Sequence, residues 1–344
     1  MRNRFLAFLS TAALAAAIMI LGPASVVGQA PSSGAKPTKA SSWKAPRTPD
    51  GQPDLQGYWT NATRTPLERP KGLGTKEFYT PAEMAENQRR EQERDAKALE
   101  GRGTEPGTAD DVHYDFAQYG LDRGQNTIAW DNRTSTIIGP EGTIPPLLPE
   151  ARKRAADLAA KQRGHEFDGP ENRPLSARCM ILTGYEGVPM LPAGYNNNLQ
   201  IQQGPGYVMI LHEMNHSVRM IPTDGRPHLP SSIRLWRGDP RGHWEGDTLV
   251  VDVTNFNDAN PFRGSSDKLH VVERFTPVDA NTILYRFTVE DFATWDKPWT
   301  GEIAMSKTQG PIFEFGCHEG NYGLANTLRG ARVAEAEAAK KTTK

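Results

Sequence analysis

The chain has only two cysteines in 344 residues, Cys179 and Cys317. With no C-x-x-C pair, zinc ribbons, dithiol redox motifs and disulfide-dense scaffolds are excluded. Neither sign of charge is in excess, since 40 Lys and Arg face 41 Asp and Glu. That balance gives no electrostatic footprint for nucleic acid or an acidic membrane surface. Beyond residue 21 no apolar run is long enough to cross a membrane, so the mature chain is expected to have no membrane span. The phosphate-cradling patterns G-x-x-x-x-G-K-[ST] and G-x-G-x-x-G are missing, as is the G-x-S-x-G nucleophile elbow. No segment repeats, which argues against a propeller.

What is present begins with an export signal. Arg2 and Arg4 precede an apolar stretch from Phe5 to Leu21, and Gly28-Gln29-Ala30 offers small residues for cleavage. Residues 1–30 therefore read as a secretory signal peptide, with an uncleaved anchor as the alternative. The mature protein is expected in the periplasm or outside the cell. Residues 31–53, rich in Pro, Ser, Lys and Thr, read as a flexible leader. Export also favours a disulfide between Cys179 and Cys317, closing a long loop and constraining the unfolded chain.

Residues 54–178 read as an N-terminal portion with two helices and short strands. Thr80-Pro81-Ala82-Glu83 is a capping box with Pro at the first helical position, opening a charged helix to about Leu99. Leu148-Pro149-Glu150 opens a second, ending near Gly164. From 179 to 328 alternation replaces helical periodicity. Leu269–Phe275 and Thr282–Val289 predict one hairpin, and Trp244–Asp252, turning at Gly246, predicts another. Ile233–Trp236, Gly301–Met305 and Ile312–Phe315 are three further expected strands. Residues 329–344 read as a polar tail. The fold class is thus mainly β, an antiparallel barrel or sandwich with an N-terminal helical portion. Gly57-Tyr58-Trp59 resembles the G-x-W that opens lipocalin-like barrels and supports the barrel.

The stretch "VMILHEMNHSVRM" spells H-E-x-x-H at His212 to His216. On a helix, two His four residues apart would face one zinc, with the intervening Glu as general base. The flanks read as strand, because Tyr207, Met209 and Leu211 alternate with Val208, Ile210 and His212, and Pro222 would cut a helix short. Along one strand, residues four apart lie about 13 Å from each other and could not share a metal. A hairpin turning at Met214-Asn215 is the preferred reading, and metal binding by His212 and His216 is disfavoured. No cofactor is expected; zinc enters only in the metallopeptidase alternative.

Other candidates are dispersed. His318-Glu319 follows Cys317 directly, so a disulfide would hold an imidazole and a carboxylate as a potential acid–base couple. Asp224-Gly225-Arg226-Pro227-His228 is a tight turn offering Arg226 and His228 as polar anchors. Trp236, Trp244 and Tyr285, with Trp295 and Trp299, are the expected aromatic lining of a ligand site.

The runs "RGHWEGDTLVVDVTNFND", "LHVVERF" and "VEDFATWDKPWT", with "DGRPH" and "IPPLLPEARKR", resemble a family of exported acidobacterial and proteobacterial proteins. The resemblance covers about Pro53 to Tyr322. It implies export and a shared fold, and no activity. It also implies that His212, where relatives often carry Tyr, is not part of a family metal site. The resulting expectation is an exported β-protein that binds a small molecule. The alternative is an exported hydrolase or lyase using His and Glu as acid and base, and a structural envelope protein is a third class. The sequence does not set the oligomeric state.

Overall fold

The computed structural model describes residues 43–99, 132–139, 141–181, 186–259 and 261–342. The signal-peptide reading lies outside them. Nine antiparallel strands make one sheet, β1 (Gly57–Thr60), β2 (Asn198–Gly204), β3 (Tyr207–His212), β4 (Val218–Pro222), β5 (Asp239–Glu245), β6 (Thr248–Thr254), β7 (His270–Asp279), β8 (Thr282–Glu290) and β9 (Trp299–Lys307). Their order is β4-β3-β2-β1-β9-β8-β7-β6-β5, so β4 and β5 are the two edges. The sheet curls until those edges meet, giving a nearly closed barrel. At the seam the backbone of β5 comes close to β4: a Cβ on Gly242 would lie 2.9 Å from Ile221 and from Thr223. Only glycine fits that approach.

Alternation decides what fills the interior. Val271, Glu273 and Phe275 on β7 and Ile283, Tyr285, Phe287 and Val289 on β8 are buried while their neighbours are more open, and on β6 Leu249, Val251 and Val253 are buried together with Val250. Trp59, Leu199, Ile201, Val208, Ile210 and Ile221 complete the core from the other strands. At about 25 cal/mol per Å² of apolar surface, this interior is the main source of stability. The barrel is a packed core, not an empty cup.

Both expected helices form. Helix α1 (Pro81–Leu99) starts at the capping box, where Glu83 N–H donates to Thr80 Oγ1 (3.3 Å) and Thr80 N–H to Glu83 Oε2 (2.8 Å). Helix α2 (Pro149–Gln162) buries Ala151 and anchors through Arg154 to the carbonyl of Ala293. The hairpins β5–β6 and β7–β8 form, with Gly246 at φ +59° in the first turn. Cys179 and Cys317 are joined by a disulfide.

Several expectations change. Ile233–Trp236 contributes a single bridge, Leu235 to Phe256, and Ile312–Phe315 forms no strand. β2 escapes the sequence reading because Asn198, Gln200, Gln202 and Gln203 dilute its β signal. Residues 329–344, read as a tail, belong for the most part to helix α3 (Tyr322–Thr342). Residues 43–53, read as the end of the leader, are packed: Ala45, Thr48 and Pro53 are buried, and Arg47 bridges to Pro53.

Candidate functional site

The β3–β4 hairpin carries the H-E-x-x-H letters, and its tip is not helical in the way a zinc pair needs. β3 ends at His212, and Met214–His216 make one 3-10 turn with Asn215 at φ +58° and His216 at φ +49°. His212 is buried, whereas His216 is exposed and accepts a hydrogen bond at Nδ1 from the Phe315 N–H (3.1 Å). The two rings face different surroundings. Among the described residues no three His, Cys, Asp or Glu side chains are placed to hold a metal ion.

His212 instead belongs to a buried polar cluster at this mouth of the barrel. The His212 N–H donates to the Ser217 carbonyl (2.8 Å), which makes the two residues cross-strand neighbours on the inward face. Arg219 follows Ser217 on the same face. It pairs with Glu273 through both guanidinium nitrogens, the Nη1–Oε1 contact at 3.1 Å, and the side chains are 3% and 0% exposed. Tyr285 donates from its hydroxyl to Glu273 Oε1 (2.7 Å) and accepts from the Met190 N–H (2.9 Å). Burial, then the charge of Glu273, pushes the Tyr285 phenol well above its ordinary range, so it acts as a neutral donor.

A second pair covers the first. Arg237 meets Glu186 (3.0 Å), and the Asn215 amide donates to Glu186 (3.3 Å) and to the Met180 carbonyl (3.3 Å). The neighbouring Cys179–Cys317 bridge fixes the chain beside that cover. Burial, with Arg219 and Arg237 close by, lowers the His212 imidazole to about 3. His212 is therefore neutral at any physiological pH.

Satisfaction of the cluster is incomplete. His212 Nε2, Ser217 Oγ and Arg237 Nε are buried with no hydrogen-bond partner in the chain, as are Glu213 Oε2 and Asn198 Oδ1 beside them. Native interiors leave few such atoms, and here five fall on one strand end and its cover. Next to Arg237 lies a cavity of about 20 Å³, lined by Gly187, Val188, Trp236, Phe262 and Leu269 among others. It holds roughly one water-sized molecule, so anything larger enters only if the Glu186–Arg237 cover moves.

The residues expected from sequence are scattered around this cluster. Tyr285 is in it, and Trp236 lines the adjoining cavity. Trp244 packs on the core from β5, and Trp295 and Trp299 stack edge-on with centroids 5.7 Å apart, within the packing. Arg226 is exposed and ion-paired to Asp224. His228 lies on the outer wall, bonded to Asp239 and Asp252. His318 and Glu319 are exposed in a turn after the disulfide. The five ligand-binding candidates do not converge. Sequence reading missed Arg219, Glu186, Ser217 and Arg237. For Arg219 and Glu273 a signal was available, because each falls on the apolar phase of its strand.

No family model, curated protein or solved structure matches this chain.

Proposed function

We propose that this chain is an exported small-molecule-binding β-protein whose ligand is small and polar and is held at the barrel mouth by His212, Ser217 and Arg237. One observation carries the reading: His212 Nε2 on β3, Ser217 Oγ just before β4 and Arg237 Nε on the covering segment are buried without partners, and Arg237 also lines a cavity. A buried donor or acceptor left unmade costs about 1–3 kcal/mol, so three cost several unless a bound molecule completes them. Two ion pairs already neutralise Arg219, Glu273, Arg237 and Glu186, and His212 is neutral. A ligand without net charge, offering a donor and an acceptor, suits that balance. Most of the aromatic lining expected from sequence is spent on the core, where Tyr285, Trp295 and Trp299 are buried, while Trp236 lines the cavity. The export-type N-terminus and the disulfide support a periplasmic or extracellular setting.

An exported hydrolase or lyase is the second reading. In this reading His212, which is neutral, and its cross-strand neighbour Ser217 act on a substrate that bridges them, since their side chains are not bonded to each other.

The test is a thermal-shift series with acetamide, glycerol, glycine and acetate on wild type and Arg237→Met. Acetamide or glycerol should raise the wild-type Tm saturably and leave Arg237→Met unmoved, with acetate inactive. If no compound distinguishes the two proteins, the binding site is not at this mouth.

A further inference from the structure

A second set of titratable groups lies on the outer wall, apart from the mouth. His228 sits on the connection between β4 and β5. Its Nδ1 faces Asp239 Oδ2 on β5 (3.1 Å), and its Nε2 faces Asp252 Oδ1 on β6 (2.9 Å). The other oxygen of Asp252 meets His270 Nε2 on β7 (2.7 Å), and His270 Nδ1 lies 4.0 Å from Glu290 on β8. Arg241 on β5 also pairs with Asp239 (2.5 Å), and Thr254 Oγ1 lies 3.3 Å from His228 Nδ1. On the connection itself, Asp224 pairs with Arg226, and Arg234 reaches across to Asp267. The rings alternate with carboxylates in one chain from Asp239 to Glu290. His228, Asp252 and His270 are each about a third exposed, with side-chain values of 30%, 37% and 34%.

We infer that this chain of groups is a proton-operated clasp, which fastens the β4–β5 connection to the outer wall while its imidazoles are doubly protonated and loosens when they lose a proton. The reason is a count of N–H groups. A neutral imidazole carries one N–H, yet His228 faces a carboxylate oxygen at each nitrogen. Both contacts are hydrogen bonds only in the imidazolium form. In the neutral form one nitrogen lone pair confronts a carboxylate, and that contact becomes repulsive. His270 differs: it meets Asp252 at Nε2 (2.7 Å), while Glu290 lies 4.0 Å from its Nδ1, too far for a hydrogen bond. Its hydrogen bond to Asp252 raises its pKa above the ordinary 6.5, against some opposing burial. Burial raises the Asp252 carboxyl, but the hydrogen bonds and charges of His270 and His228 outweigh it and hold it below 3.8. A raised imidazole stabilises fully below its unfolded pKa and loses that contribution as pH rises through its folded pKa. A depressed carboxyl does the reverse at the acid end. The His270–Asp252 contact is thus held from below pH 3.8 to above 6.5, and weakens on the alkaline side.

Opening has structural reach because the connection is pinned by the same groups. The Leu229 N–H donates to Asp239 Oδ2 (2.8 Å), Arg241 donates to the Pro227 carbonyl (2.8 Å), and Asn255 donates to the Leu229 carbonyl (2.9 Å). The connection spans the one seam where neighbouring strands share no ladder, and it ends at Arg237 in the mouth cluster.

Hydrogen exchange on the full chain tests this, read at the Leu229 and Leu235 amides and normalised for intrinsic exchange. Between roughly pH 6 and pH 8.5, protection at both should fall severalfold, while β8 amides hold theirs. His228→Gln, a change on a partly exposed loop, should show low protection at both pH values with no pH dependence. Equal wild-type protection at both pH values would overturn the clasp. So would a wild-type fall that persists undiminished in both His228→Gln and His270→Gln.

Discussion

Arg219 of β4 and Glu273 of β7 meet inside the barrel, three strand positions apart across the seam that backbone hydrogen bonds leave open. The ladder stops at β4 and restarts at β5, and this buried ion pair joins the walls on either side. A buried charge stripped of its partner destabilises by about 3–5 kcal/mol, whereas replacing the whole pair by apolar groups is often neutral. Glu273→Leu alone should therefore lower the denaturation midpoint severely. Arg219→Met with Glu273→Leu should recover most of the loss. Urea unfolding of the three proteins checks it, and additive losses would mean that the two charges are not coupled.

Acid should weaken the protein through His212. Its imidazole is lowered to about 3 by burial and the two nearby guanidiniums, against 6.5 when unfolded. Between those values the unfolded chain binds the extra proton, so stability rises with pH across that window and falls as pH drops from 6.5 towards 3. The slope from this one group is about 1.4 kcal/mol per pH unit. His212→Gln should flatten the stability profile between pH 4 and 6, read from urea midpoints at each pH. An unchanged slope would show that other groups carry the acid response.

The disulfide closes a loop with a sequence separation of 138 residues. In the chain-entropy model a loop of that length contributes about 4–5 kcal/mol. Replacing both cysteines by alanine should cost up to that amount by equilibrium unfolding, and Asn215–Glu186 contacts near the cover should exchange faster. A loss under about 1 kcal/mol would mean the unfolded chain is already restricted there.

Gly301 lies across from Phe287 on β9 and β8, and a Cβ at Gly301 would come within 2.2 Å of the Phe287 ring. Gly301→Ala should destabilise by about 1–3 kcal/mol through overpacking. Phe287→Leu should relieve part of that loss in the double variant, and a Gly301→Ala protein of wild-type stability would contradict this packing.

Much of the fold was legible because its hairpins announce themselves. "LHVVERF" and "TILYRFTV" alternate strictly, and Glu245-Gly246-Asp247 supplies a turn that only a tight hairpin uses. The barrel closure was not legible, since it depends on β2, whose "NLQIQQG" hides two core residues among amides. Ile312–Phe315 has strand composition but pairs with no strand. Helix α3 is exposed along nearly its whole length and beyond Leu328 holds Val333 as its one large apolar residue, so that part reads the same as a tail. The mouth cluster was half legible. Glu273 shares the phase of Val271 and Phe275, and Arg219 shares that of Ile221, so each is a charge where a core residue belongs. The covering residues Glu186 and Arg237 lie in irregular segments with no period to violate. The letters H-E-M-N-H mattered through one residue, His212, and through its burial at a strand end.

The most direct test of binding at the mouth is native mass spectrometry of the protein, taken from cells without denaturation, beside His212→Phe and Arg237→Met. The wild type should carry a small non-covalent mass excess that both variants lack. Identical bare-chain masses for all three, together with no compound shifting the wild-type Tm, would contradict the account.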